Sequence, residues 1–189
     1  MSDTGASGRA PRGRTAVWVV LPVAVVLGLL LVLLATRDPS SVREASSDLL
    51  GQLAPDVAGP TTDGDDYTID AERGRWVVVN FFSTTCVPCI QEHPELVTFQ
   101  QRHAAAGDAT VVSVAFDDSA ANVARFFDEN GGDWPVLVTD TGAIAVRYGV
   151  TGVPESYLVS PSGVVASKFI GGVRADDLEA RIDQLVAGA

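Results

Sequence analysis

Hydrophobic positions recur along this chain in three different patterns, and each predicts a different element. From Ala16 to Ala35 the sequence AVWVVLPVAVVLGLLLVLLA carries no charge. Wound as a helix, that segment is long enough to cross a hydrocarbon core ~30 Å thick. Shorter apolar runs follow at Trp76–Phe81 and Ala109–Phe116, as expected of strands buried on both faces. Apolar residues at helical spacing fill the intervals. They run from Val87 to about Ala106, with Pro94 kinking the helix and Gly107 ending it, then through Val123, Phe126 and Phe127, and last through Leu178, Ile182, Leu185 and Val186. Asp118 or Ser119 is placed to cap the second of these helices and Asp176 the last.

The remaining segments complete the order. Ala54–Arg75 has Pro, Gly and Asp clusters around Tyr67-Thr68-Ile69, which reads as a hairpin or edge strand. Trp134–Val138 reads as a third strand and Thr141–Tyr148 as a short helix. Gly149–Val159 leads into a fourth strand, Pro161-Ser162-Gly163 turns the chain, and Val164–Ile170 returns antiparallel as a fifth. Strand–helix–strand–helix followed by a hairpin and a helix predicts an α/β domain with a central mixed sheet and helices on both faces. The organisation is a polar stub at 1–15, a transmembrane anchor at 16–35, a linker at 36–53 with a short helix near Val42–Leu50, and the α/β domain at 54–189.

Charge sets the expected orientation. Arg9, Arg12 and Arg14 precede the apolar segment with only Asp3 against them, so the N-terminus is expected in the cytoplasm and the domain across the membrane. A cleaved signal peptide has a shorter apolar core and small residues at its cleavage site, whereas Leu33 stands at the first small position before Ala35. The segment is therefore expected to stay as an anchor. From Arg37 onward the chain keeps 10 of its 13 basic and 23 of its 24 acidic residues, a net −13. Such a domain will not bind nucleic acid or an anionic bilayer surface through charge.

The chain's two cysteines stand at the junction of the first buried strand and the helix after it, as Cys86-Val87-Pro88-Cys89. A strand that delivers Cys86 to a helix N-terminus sets its sulfur against unpaired N–H groups and the positive end of the helix dipole, which favour the thiolate. Cys89 lies one turn on, and Pro88 suits the first turn, where its missing N–H costs nothing. The pair reads as a dithiol that exchanges with other disulfides, with Cys86 attacking and Cys89 resolving. Zinc is disfavoured because four ligands are needed, and beyond the two cysteines the chain has only His93 and His103, both of which would have to join them. A purely structural bridge across so short a loop would constrain the unfolded chain little.

With Cys86-Val87-Pro88-Cys89 opening a helix and Gly152-Val153-Pro154 before a late strand, the chain resembles the thioredoxin fold. Within it the likeness is to the membrane-anchored TlpA/ResA/CcmG (DsbE) family of thiol-disulfide oxidoreductases. Further markers are Ala54-Pro55-Asp56, Asp63-Gly64, Val79-Asn80-Phe81-Phe82, Glu92 with Pro94, and Tyr148 to Glu155, while 109–148 matches a strand and helix that this family inserts. The resemblance implies a reductase outside the cytoplasm whose only redox group is the Cys86–Cys89 disulfide, with no bound cofactor or metal. It implies as substrate the haem-binding Cys-x-x-Cys-His of apocytochrome c or another exported thiol protein, and a membrane electron donor of the CcdA/DsbD type. Pro154 is then the cis-proline facing the cysteines. The substrate surface would comprise Val153, Pro154 and Glu155 with Val87 and Pro88, and Glu92 is the acidic residue that tunes the pair. Thr85 stands where the family usually carries Trp, and Asn80 stands where thioredoxins bury an Asp. The absence of that Asp makes Glu92 the candidate for moving the proton of Cys89.

Three other functions compete. An oxidase would use the same pair in the opposite direction, which only the reduction potential decides. A peroxidase of the peroxiredoxin group needs Pro and Thr where Val79 and Ser83 stand. A binding module would leave the disulfide inert.

Overall fold

The computed structural model describes Val23, residues 25–30, Val32 and residues 43–188. The first group is helical. Most of Ala16–Ala35, read above as the anchor, lies outside the described residues, and among the described ones no helix is long and apolar enough to cross a membrane.

The domain is built from β1 (Arg43–Glu44), β2 (Ala58–Pro60), β3 (Asp66–Thr68), a 3₁₀ turn (Ile69–Glu72), β4 (Trp76–Phe82), α1 (Val87–His103), β5 (Ala109–Ala115), α2 (Ala120–Asn130), β6 (Val136–Leu137), α3 (Thr141–Tyr148), β7 (Glu155–Val159), β8 (Val165–Ile170) and α4 (Ala175–Ala187). Six strands form one sheet in the order β1-β8-β7-β4-β5-β6, while β2 and β3 pair separately as an antiparallel hairpin. β4, β5 and β6 run parallel; β7, β8 and β1 alternate in direction beside them. This is the mixed sheet expected from the pattern, with β4 and β5 fully paired over seven rungs at its centre.

Because side chains alternate across a strand, β4 supplies both layers of the core. Val77, Val79 and Phe81 point to one side, where they meet Val57, Val112, Ile144, Tyr148 and Tyr157. The rings of Phe81, Tyr148 and Tyr157 pack with centroids 5.0–6.1 Å apart. Val78 and Phe82 point to the other side, against Leu96 and Phe99 of α1 and Leu178 and Ile182 of α4. Asn80 shares that second face with Val78 and Phe82, so a polar group is aimed beneath α1.

Four local expectations are revised. Of the helix sought near 42–50, the described residues 43–50 form none. Instead Arg43 and Glu44 pair with β8, a turn follows at 48–51, and Leu53 bridges Val164, so residues read as a tether lie along the sheet edge. The pairing uses backbone groups, which leave no periodic side-chain signature. Ile69 does not extend a strand but opens the 3₁₀ turn. The third strand spans only Val136–Leu137. The N-cap of α4 is Arg174, not Asp176; the Asp176 carboxylate instead meets Arg102 at 2.8 Å across the surface. The second helix is capped by Ser119, whose Oγ accepts from Asn122 N at 3.2 Å.

The register of β1 fixes where the chain joins the sheet. Arg43 pairs with Ile170, and Ile170 pairs with Glu155, the residue that follows Pro154. The first described strand therefore begins at the same end of the sheet as the Val153–Pro154 loop.

Candidate active site

β4 ends at Phe82, and the turn Ser83–Thr85 carries the chain to Cys86, the N-cap of α1. Its Sγ lies 3.3 Å from the N–H of Cys89, the geometry in which a helix start stabilises a sulfur anion. Pro88 occupies the first turn, as expected. Cys86 and Cys89 form a disulfide with their Cα atoms 5.2 Å apart. Cys86 is half-buried and Cys89 only 3% exposed, so one sulfur can be approached and the other is screened.

The Val153–Pro154 peptide bond is cis. Its loop faces the pair: Val153 O stands 3.6 Å from Cys86 Sγ. Gly171 N donates to Pro154 O at 3.0 Å, so the segment after β8 buttresses the loop from behind. Val87 and Ile90 project from the start of α1, 63% and 41% exposed, and give the rim an apolar side. Thr85, at the position before Cys86, is exposed and polar.

Beneath the pair sits Glu92, one turn beyond Cys89 on the same helix and 4% exposed. Its Oε1 accepts from Asn80 Nδ2 at 2.8 Å, and its Oε2 accepts from Val173 N at 2.9 Å. Asn80 Nδ2 also donates to Ser156 Oγ at 3.0 Å. Burial pushes the Glu92 carboxyl up to about 7, against the two hydrogen bonds, which favour the anion. An acid poised there can hold or release a proton near neutral pH.

Glu155 requires a correction. Expected on the substrate surface, it is 1% exposed and turned inward. Its Oε1 accepts from Thr151 N at 3.0 Å and Thr151 Oγ1 at 2.8 Å, pinning the residues just before Pro154. Oε2 stands 2.9 Å from Lys168 Nζ, a charge contact without hydrogen-bond alignment. Lys168, the chain's single lysine, is itself buried and lies over the Tyr157 ring, 5.1 Å from its centroid. A carboxylate so desolvated needs that partner. Glu155 thus supports the loop from within instead of meeting a substrate.

The two histidines are employed elsewhere. His93 is buried among Phe126, Phe127 and Trp134, its Nε2 2.8 Å from Gly131 O, and burial lowers its basicity. His103 Nδ1 meets Asp108 at 2.8 Å. Among the described residues no cluster of His, Cys, Asp or Glu is arranged to hold a metal.

Sequence reasoning missed three contributors. Lys168 and Ser156 reach the site through strand pairing, although a lone lysine within a strand of otherwise small and apolar residues was a usable signal. Asp118, considered only as a cap, binds the turn before Cys86 and has no local signature at all.

A mixed sheet carrying a Cys-x-x-Cys at a helix start, opposite a cis-proline, defines a thioredoxin-like dithiol–disulfide protein. The Redoxin family profile matches residues 49–185, and the chain belongs to that family. It is similar to the thioredoxin-like protein YneN of Bacillus subtilis, at 30% identity over 70% of this chain and 78% of that one. Over 53% of either chain it is 35% identical to the thiol:disulfide interchange protein CycY of Rhizobium leguminosarum. With the thiol-disulfide oxidoreductase ResA of Geobacillus thermodenitrificans the identity is 24% over 88% of this chain and 95% of the other. Among solved structures, a thioredoxin-family thiol:disulfide interchange protein of Chlorobium tepidum superposes with a TM-score of 0.65 at 27% identity, covering 74% of this chain and 98% of that one. The protein is a thiol-disulfide oxidoreductase of the ResA, DsbE and CycY kind.

Proposed function

We propose that this protein is a membrane-tethered reductase that acts outside the cytoplasm on the haem-binding Cys-x-x-Cys-His disulfide of apocytochrome c. The observation that carries the reading is the pairing of an approachable Cys86 at the helix start with a screened Cys89 above a carboxyl that titrates near neutrality. The motif resemblance to the TlpA/ResA/CcmG family supports the substrate, and the uncharged run Ala16–Ala35 behind three arginines supports the tether and its direction.

In the reduced protein the Cys86 thiolate attacks one sulfur of the substrate disulfide, forming a mixed disulfide and releasing the other substrate sulfur as a thiolate, which takes up a proton. Glu92 accepts the proton of Cys89. The Cys89 thiolate then attacks Cys86 Sγ, closes the Cys86–Cys89 bond and frees the second substrate thiol. Two electrons have moved to the substrate, and a membrane dithiol donor of the CcdA/DsbD type restores them. Val153 beside Cys86, together with Val87 and Pro88, forms the surface against which an extended substrate segment lies.

Trapping tests this. A Cys89→Ala variant stalls at the mixed disulfide and is expected to carry apocytochrome c through Cys86. Capture of unrelated exported proteins instead, together with a strongly oxidising potential of the wild-type pair, would assign the protein as an oxidase.

A further inference from the structure

β4 and β5 lie side by side to their last rung, and one further bond, Phe116 N to Phe82 O at 2.8 Å, carries the pairing past the end of β5. The segments leaving the two strands therefore emerge together. One is the Ser83–Thr85 turn that delivers Cys86. The other passes through Asp117, held at a left-handed φ of 50°, and presents Asp118.

Asp118 gathers three polar groups of that turn. Its Oδ2 accepts from Thr84 N at 2.7 Å, Thr84 Oγ1 at 2.6 Å and Ser83 Oγ at 3.2 Å. Its Oδ1 accepts from Ser119 N at 2.8 Å and Asn122 Nδ2 at 3.4 Å, so the carboxylate is anchored to the start of α2 on its far side. Within the turn, Cys86 N donates to Ser83 O at 3.1 Å and Ser83 Oγ meets Thr85 Oγ1 at 3.1 Å. Partial burial raises the Asp118 carboxyl, but the bonds from Thr84, Ser119 and Asn122 outweigh it and hold the group below the ordinary range, so it is charged whenever the enzyme works. Charge-assisted bonds of this kind are short and strong. Thr85, the last residue of the turn, stands exposed.

We propose that Asp118 is a positioning residue of the redox centre, fixing the Ser83–Thr85 turn so that Cys86 is presented to Cys89. This rests on the dithiol reading above. It concerns the intramolecular step, in which the Cys89 thiolate attacks Cys86 Sγ and expels the bound thiolate. That step depends on sulfur placement within a narrow range, and a displaced nucleophile or electrophile slows it steeply.

The test uses the full chain in detergent, reduced and then loaded on Cys86 with glutathione, and follows release of glutathione as the Cys86–Cys89 bond closes. At a temperature well below unfolding, Asp118→Ala is expected to slow this first-order release by about tenfold. Asp118→Asn keeps one acceptor oxygen for Thr84 and should stay within about threefold of wild type, since the turn retains its main tie. Release by Asp118→Ala at the wild-type rate, even with a lower melting temperature, would reduce Asp118 to a structural cap and overturn the proposal. Should Asp118→Ala fail to fold, Thr84→Val removes one tie with the carboxylate kept, and an unchanged release rate there overturns it equally. A wild-type protein that never releases glutathione would instead remove the dithiol reading itself.

Discussion

Asn80 Nδ2 donates to Glu92 Oε1 at 2.8 Å, joining the central strand to the helix that carries both cysteines. The amide donates this hydrogen bond but cannot ionise, so of the two side chains it joins only the carboxyl titrates. That carboxyl is held protonated well above its ordinary range by burial, and its charge state follows from this single environment.

Stability should therefore depend on pH through Glu92. The folded protein keeps the proton up to about pH 7, while the unfolded chain releases it near the ordinary 4.5. Between those values folding takes up a proton, so the contribution is full below 4.5 and is lost as pH rises through 7. The shift corresponds to about 3 kcal/mol. Thermal unfolding of the oxidised protein from pH 4.5 to 8 should show this decline, and Glu92→Gln should flatten it. The same variant should lose the corresponding inflection in the pH profile of disulfide exchange.

Replacing Asn80 by Asp would place a second carboxyl against Glu92. Two such groups at hydrogen-bond distance cannot both ionise without large cost, so one keeps its proton to higher pH. We expect Asn80→Asp to be tolerated at pH 4.5 and to lose roughly 3 kcal/mol at pH 8, by the like-charge penalty. Equal stability of variant and wild type at pH 8 would contradict the pairing.

The buried pair of Lys168 and Glu155 gives a third expectation. Lys168→Met leaves the carboxylate enclosed and without its counter-charge, a change that typically costs about 3–5 kcal/mol. Removing both charges together with Glu155→Gln should recover much of this. The double variant should still exchange disulfides more slowly, because Gln holds Thr151 more weakly than the carboxylate does. Denaturant unfolding separates the first effect from the second.

Val87 offers a test of the proposed docking surface. At 63% exposure it contributes little to folding, so Val87→Ser should alter stability by less than about 0.5 kcal/mol. Reduction of a Cys-x-x-Cys-His peptide should fall severalfold, while reduction of a small disulfide such as oxidised glutathione stays near wild type. Equal losses on both substrates would place Val87 outside the docking surface.

Much of this arrangement was legible before any coordinates. Buried strands such as Trp76–Phe82 announce themselves because both faces are apolar, and the helix after Cys86 does so by its spacing. Thr141–Tyr148 was legible to the residue, bounded as it is by Asp140 and Gly149. The edge strand at Arg43–Glu44 was not, since two backbone rungs impose no side-chain pattern. The inward turn of Glu155 was hidden for a different reason. Its counter-charge lies thirteen residues on, across a β-hairpin, and nothing in the order of residues says that Lys168 is enclosed. Asp118 and Thr84, 34 residues apart, meet only because parallel strands end together.

The register that sets Arg43 beside Ile170 and Ile170 beside Glu155 has a practical bearing. The opening rung of β1 thus shares one pole of the sheet with the cis-proline loop, so loosening that rung would disturb the rim where thiols arrive.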